Sequence, residues 1–412
     1  MTTLKIAIVS DVHADEQENR WTRIGCEPPN ANRNQHPLSD LQYVVDSESL
    51  RCDYLVVPGD ITNQANAFGL SYAWRRLNEL ATALDARLLA VPGNHDIVTR
   101  APTRDRSLGL KNLIPGFPLP EAEMHSSFWE NGWFLVDEPD HRILLLDSTL
   151  GFPEFPESVD EESPAFAEYL TAVERGSITE RVEGEVRDRL RSLDELKLNI
   201  AVVHHHPQEH QNHQYMQDSY GPMHRGTDLL DILSSNPRSG RWIVIHGHKH
   251  IPQLVHATTS TSNGPLILCS GSLGAKLWEP IDSVTRNQFH MLTATSDPAS
   301  TNTSSLRGSV ETFTWGFGVG WYRSDQTGSG LPPYGGFGCS DDFRSIAAQI
   351  KEVMASENLY FIGYAELIAK VPQLPFILPA DIDFLEDFLD QDGYQFRRDR
   401  KRRIVQLVRA VT

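Results

Sequence analysis

A layered α/β fold is predicted by three observations. Short apolar runs recur along the chain, a helical pattern lies between two of them, and several runs stop at residues that bind metals or move protons. The runs are KIAIVS, YLVVP, RLLAVP, RILLLD, NIAVVH, RWIVIH and PLILCS. At about five to six residues, rich in Val, Ile and Leu, they suit strands buried on both faces. Between the second and third, AFGLSYAWRRLNELATALDA repeats Trp74, Leu77, Leu80, Ala81 and Leu84 at helical spacing, which makes one crossover unit.

The first run ends in Asp11-Val-His13. Strand alternation predicts that Asp11 and His13 project to the same side. Alone, the pair reads more simply as a turn carboxylate and a surface histidine. The other runs decide. Gly59-Asp60 follows the second, Gly93-Asn94-His95-Asp96 the third, His204-His205-His206-Pro207 the fifth and Gly247-His248-Lys249-His250 the sixth. Five runs thus deliver carboxylate, amide or imidazole groups at their carboxyl ends, where open α/β sheets build their sites. Oxygen and nitrogen donors without sulfur suit Mn, Fe, Zn or Co. Two carboxylates, several imidazoles and an amide exceed what one ion needs. Two divalent ions about 3.5 to 4 Å apart, sharing one carboxylate, would use them all in a clamp for phosphoryl chemistry.

Composition bounds the alternatives. With 412 residues, 40% of them hydrophobic and 22% charged, the chain can bury a large core and hold a second, smaller domain. LKIAIVS is too short for a secretory leader and nothing approaches the roughly 18 apolar residues of a membrane span, so a cytoplasmic protein without a membrane partner is expected. Cys26, Cys52, Cys269 and Cys339 are scattered without a CxxC pair, so neither a thiolate zinc site nor a disulfide framework is suggested. A formal net charge of −18 counts against general affinity for nucleic acid unless bound cations create a local positive site.

DxH, GD, GNHD, a histidine run and GHKH, in that order over roughly residues 4 to 275, resemble the blocks of the calcineurin-like metallophosphoesterase superfamily. LLAVPGNHD, ILLLDST, VVHHHP and IHGHKH look nearest to its class III cyclic-nucleotide phosphodiesterases. The resemblance implies a layered β-sandwich flanked by helices and two divalent metal ions (Mn, Fe or Zn). It implies that Asp11, His13 and His250 hold one ion, that Asn94, His205 and His248 hold the other, and that Asp60 bridges them. The family's ligand commonly stands two before the proline, which selects His205, with His204 and His206 as the other members of the run. His95 would face the substrate as proton donor or phosphate contact, with Asp96 orienting its ring. Asn63 stands where purple acid phosphatases carry a tyrosine, and GDITNQANAF lacks the arginine of the protein serine/threonine phosphatases, so both branches are disfavoured. The expected reaction is hydrolysis of a small-molecule phosphodiester, such as a small nucleotide, by a metal-bridging hydroxide; a nuclease or a phosphomonoesterase is the alternative.

The loops say less. Residues 14 to 50 and the segment after the histidine run should overhang the strand ends. Trp21, Arg23, His210, His213, His224 and Arg225 are candidates to stack on a base or grip phosphate. Ser270 and Ser272 are read as satisfying backbone. Residues 1–325 are expected to form the catalytic domain, with residues 308 to 323 a hairpin on its sheet. The Gly/Pro/Ser-rich residues 326–340 read as a linker and 341–412 as a small helical domain with a basic hairpin. Its NLYFI stretch reads as core. The basic stretch Arg397 to Arg403 fits a winged-helix-like module that guides nucleic acid, or, more simply, a solvated turn that pairs with the chain's own acidic surface. The sequence leaves the oligomeric state open.

Overall fold

The computed structural model describes residues 2–26, 32–156, 160–195, 197–215, 221–260, 264–296 and 306–410. The chain builds one edge of a sheet, leaves to build a second, and returns. It begins with β1 (Thr2–Ile8), β2 (Tyr54–Val57) and β3 (Arg87–Ala90), which are parallel. The second sheet contains β4 (Trp133–Asp137), β5 (His141–Leu146), β6 (Leu198–Val202), β7 (Trp242–His246), β8 (Gln253–His256) and β9 (Leu266–Cys269) in the order β4-β5-β6-β7-β9-β8. Then β10 (Gln288–Ser296), β11 (Arg307–Gly316), β12 (Gly320–Tyr322) and β13 (Tyr334–Phe337) complete the first, ordered β12-β11-β10-β1-β2-β3 with β13 also on β11. All seven apolar runs are strands, and residues 308 to 323 form the β11–β12 hairpin.

Both faces of the strands are covered, which explains their continuous apolar character. Ile6 and Ile8 of β1 meet Ile143 and Leu145 of β5 between the sheets. Ala7 and Val9 turn outward to a helical layer that includes Ala67–Leu84, whose Leu70, Trp74, Leu77 and Leu84 are buried there. Asn66 caps that helix by accepting from the Gly69 N–H at 2.8 Å. On the far side Leu144 and Leu146 pack under Val182, Val186 and Leu190 of helix Glu180–Arg191. The result is a β-sandwich between helices.

Three expectations change. Residues 14 to 50 do not all overhang the site: Pro37–Glu48 is a helix that buries Leu38, Leu41, Val44 and Val45 on the first sheet, because those apolar residues share one face. The expected linker contains β13, so Gly335 and Gly336 belong to a sheet edge. In NLYFI only Ile362 is buried, while Tyr360 and Phe361 are 65% and 62% exposed. Strand alternation turns Phe361 and Ile362 to opposite faces.

The C-terminal part has helices Phe343–Ser356, Tyr364–Lys370 and Pro379–Asp390 around a sheet of β14 (Phe361–Gly363), β16 (Ile404–Arg409) and β15 (Tyr394–Arg398), in that order. Its own core includes Ile346, Ile350, Leu367, Leu385 and Leu407. Among the described residues, no helix is long and apolar enough to cross a membrane.

Candidate metal centre

The histidine and carboxylate blocks lie past the carboxyl ends of β1, β2 and β3 in one sheet and of β6 and β7 in the other. The residues do not continue the strands. Asp11, His13, Asp60, His248 and His250 have φ of 51°, 50°, 54°, 72° and 59°, all left-handed. Such backbone costs a non-glycine residue roughly 1 to 2 kcal/mol and is retained where surrounding structure over-determines it. The loops are held together by Asp11 N–H to Gly59 O at 3.2 Å and His13 N–H to Asp60 O at 2.9 Å. Asp11 and His13 therefore converge through paired left-handed turns, and not through the strand alternation expected from sequence.

Two sets of donors result. In one, His13 Nε2 and His250 Nε2 are 3.2 Å apart, and Asp11 Oδ1 lies 3.2 Å from His250 Nε2 and 3.8 Å from His13 Nε2. Two imidazole nitrogens about 2.1 Å from a shared ion stand roughly 3.0 to 3.4 Å apart at angles near 90 to 110°, so this spacing fits an ion. In the other, His204 Nε2 is 3.0 Å from Asn94 Oδ1, and His204, His205 and His248 bring ring nitrogens within 4.8 Å of one another. Asp60 stands between the sets, its Oδ2 3.6 Å from His13 Nε2 and 3.4 Å from His204 Nε2.

His205 supplies the sharpest test of fit. Its Nδ1 is 2.7 Å from Ser148 Oγ, while its buried Nε2 has no hydrogen-bond partner. An orphaned buried polar atom costs about 1 to 3 kcal/mol, whereas a ring anchored through one nitrogen and open at the other is how proteins present histidine to metal. His204 has the same form, with Nδ1 2.8 Å from Pro58 O and Nε2 facing Asn94 and Asp60. The run therefore aims two rings at the second set, one more than its spacing from proline selected. His206 belongs to neither set among the described residues.

The motif glycines have a steric cause. A Cβ on Gly93 would lie 2.1 Å from Asp60 Oδ1, and one on Gly247 would lie 2.4 Å from Asp11 Oδ2. Each carboxylate passes through the space a side chain would fill.

Burial sets the charge states. It pushes His13 down to about 3, against the pull of Asp60, and holds His205 and His248 well below the ordinary imidazole range. Neutral imidazoles are what a metal binds. Burial would raise Asp60, but His204, His95 and His13 around it keep it well below the usual carboxylate value. Burial works against His204 too, and Asp60 outweighs it, raising that ring to about 9. A metal ion held beside Asp60 would replace that ring's proton as the counter-charge, since a ligating imidazole must be neutral.

His95 is held by its backbone, whose N–H donates to Asp60 Oδ1 at 2.9 Å, and its ring meets that of His13 edge-on at 4.8 Å. Asp96 does not do what the resemblance implied. Its Oδ1 accepts from Thr62 N–H and its Oδ2 from Gly93 N–H, both at 2.9 Å, so it ties the GD and GNHD loops together instead of orienting the His95 ring.

A cleft of about 460 Å³ opens over the donors. His13, His95 and His250 line it with Trp21, Glu174, Lys249, Lys276 and Trp278. Among the described residues, Trp21 is the one loop candidate there. Arg23 lies over the Trp315 ring, His210 Nε2 is 2.8 Å from Ile251 O, Arg225 pairs with Glu180 and Glu183, and His224 lines a separate cavity. The His213 side chain lies outside the described residues, as do residues 216–220. Ser270 and Ser272 bond backbone oxygens, as expected. Sequence reasoning left His204 and His205 undecided and missed Glu174, Lys249, Lys276 and Trp278; Lys249, inside GHKH, carried a positional signal.

Residues 4–265 match the family model described as calcineurin-like phosphoesterase. The chain belongs to that family. In this phosphoesterase, residues 335–391 also match a model described as wHTH-Calcineurin_assc; that span holds the three helices and β14, and β15 and β16, which complete the sheet, follow it. No curated protein matches the chain. Among solved structures, it is similar to a dimetal phosphatase from Danio rerio at 15% identity, covering 76% of this chain and 99% of the other, with a TM-score of 0.44. It is also similar to a purple acid phosphatase from yellow lupin seeds at 16% identity, 76% and 52% coverage, and a TM-score of 0.45. A phosphopantetheinyl hydrolase from Mycobacterium tuberculosis follows at 17% identity, 65% and 90% coverage, and a TM-score of 0.34. At these identities and scores the likenesses say nothing about substrate.

Proposed function

We propose that the phosphoesterase is a dinuclear metal-dependent phosphodiesterase acting on a small nucleotide or similar diester. The observation that carries this reading is the position of Asp60 Oδ2 between His13 and His204, one from each donor set. Asp11, His13 and His250 would hold one ion; Asn94, His248 and the His204–His205 pair the other; Asp60 both. The ions, Mn, Fe or Zn, would supply charge neutralisation at the phosphoryl oxygens and an activated water.

The chain's own residues do the rest. His95, fixed through its backbone at the cleft edge, gives a proton to the departing oxygen. Lys249 and Lys276 line the cleft as cations for a phosphate group. Glu174 sits half-buried on the same wall, where burial pushes its carboxyl above the ordinary value, and in its ionised form it opposes a second negative charge on the substrate. That favours the singly charged diester over a doubly charged monoester. Both readings are separated by turnover of bis-p-nitrophenyl phosphate against p-nitrophenyl phosphate with added Mn. Preference for the monoester would reject the diesterase reading.

The nuclease alternative has the winged-helix match in its favour, but the surface chemistry supports a role within the chain. Lys401 pairs with Glu48 at 3.1 Å, Arg402 with Asp325 at 3.0 Å, Arg403 with Asp399 at 2.9 Å, and Arg398 with Glu386. Helix Pro379–Asp390 carries Asp381, Asp383, Glu386, Asp387 and Asp390, which repel a phosphate backbone. The four free cysteines suit a cytoplasmic setting.

A further inference from the structure

One half of the cleft is unlike the other. Beside His13, His95 and His250 lies a wall of Trp21, Leu277, Trp278 and Ile281 that metal-assisted ester hydrolysis does not require. The two indoles are 55% and 41% exposed. Single exposed apolar side chains are ordinary on a protein surface, but two tryptophans on the wall of a catalytic cleft form a patch that marks a binding site.

The indole-bearing segments are built together. Arg23 N–H donates to Gly274 O and Lys276 N–H to Trp21 O, both at 2.9 Å, and Thr22 bridges antiparallel to Ala275. Lys276 also pairs with Glu18 at 2.8 Å, and the Arg20 guanidinium lies 4.6 Å from the Trp21 ring. The ladder sets Trp21 on one segment and Trp278 on the other, at the mouth of one cavity. A flat, weakly polar ring is the ligand that indole faces bind best, and Lys249 and Lys276 in the same cleft suit an anion covalently joined to it.

We propose that Trp21 and Trp278 form a subsite for the nucleobase of the substrate, so that the ester is a nucleoside phosphodiester and not an aliphatic one. This rests on the phosphodiesterase reading and narrows it.

The test uses the full-length, Mn-loaded chain and two phosphates that differ only in the base, adenosine 5′-monophosphate and ribose 5-phosphate. Each is measured as an inhibitor of bis-p-nitrophenyl phosphate hydrolysis and by quenching of tryptophan fluorescence. Stacking on an aromatic ring makes roughly a 5- to 150-fold difference in affinity. The nucleotide should therefore bind at least about 10-fold more tightly than the sugar phosphate. Trp21→Ala and Trp278→Ala should each reduce that ratio several-fold, and Trp21→Phe should restore most of it. Equal affinities in the unaltered protein, or an unchanged ratio in both alanine variants, would overturn the subsite while diester turnover still stood. Quenching by the nucleotide in a protein that turns over no diester would uphold the subsite and reject the phosphodiesterase reading.

Discussion

His13 and His250 present their Nε2 atoms to each other at 3.2 Å although 237 residues separate them in sequence. Both rings stand on left-handed residues, so local strain is spent to create the contact. Burial keeps His13 neutral, and the two nitrogens with Asp11 Oδ1 make a site for one cation. Metal binding should therefore stabilise the fold. Titrating Mn into chelator-treated protein should raise Tm, with a free-energy gain of about 2.7 kcal/mol when free metal reaches about 100 times Kd. His250→Ala should shrink that gain, as read by calorimetry.

His204 and His205 both aim Nε2 at the second donor set. His204→Ala and His205→Ala should each lower bound metal from two ions per chain towards one, measured by elemental analysis. Ser148→Ala, which removes only the anchor on His205 Nδ1, should weaken metal affinity about 10- to 100-fold without deleting a ligand. Full metal content in His204→Ala would return the ligand role to His205 alone.

Glu174 should act on charge selection. Glu174→Gln should raise kcat/KM for p-nitrophenyl phosphate relative to bis-p-nitrophenyl phosphate by about 5- to 10-fold, the effect of relieving roughly 1 kcal/mol of like-charge repulsion. An unchanged ratio would leave Glu174 as a wall residue only.

Arg323 grips Glu48 through two bonds of 2.8 and 2.7 Å, and Lys401 of the basic turn adds a third at 3.1 Å. The bonds to Arg323 hold the Glu48 carboxyl below its ordinary value. A depressed carboxyl contributes stability that is present above its unfolded value and lost as pH falls through the folded one. Glu48→Gln should thus flatten the loss of stability on acidification, by about 1 kcal/mol, in denaturant titrations across the acid range. With its lysine so engaged, the turn should show no oligonucleotide binding by fluorescence anisotropy at physiological salt.

The catalytic half of the molecule was legible because its chemistry is local. A strand that ends in Asp60 or His248 declares itself by an apolar run followed by a donor, and double-sided burial writes the strands plainly. The centre was harder where geometry outruns pattern. Asp11 and His13 were placed on one side for a reason the left-handed turns replace. His204 stood second to His205 because spacing from Pro207 is a family habit, whereas Asn94 and Asp60 fix which ring nitrogens face the site. Glu174 comes from a helix with no motif, and Trp278 reaches the cleft only because Lys276 pairs with Trp21 across more than half the chain. Gly335 and Gly336 looked like linker since a glycine-rich edge strand carries no apolar alternation.

His95 should separate catalysis from metal binding. His95→Asn should keep two ions per chain while hydrolysis of a diester with a poor leaving group falls about 100-fold or more, the scale of a lost general acid. The loss should be smaller with a p-nitrophenolate leaving group. Equal losses would indicate phosphate binding in place of proton donation.

The shared carboxylate is tested most directly by metal stoichiometry and turnover in Asp60→Asn beside the unaltered protein. The unaltered chain should bind two ions and hydrolyse bis-p-nitrophenyl phosphate. Asp60→Asn should bind fewer, because two cations would face each other with one compensating charge removed, and its turnover should fall about 100-fold or more. Two retained ions with near-normal turnover would contradict the bridging role of Asp60.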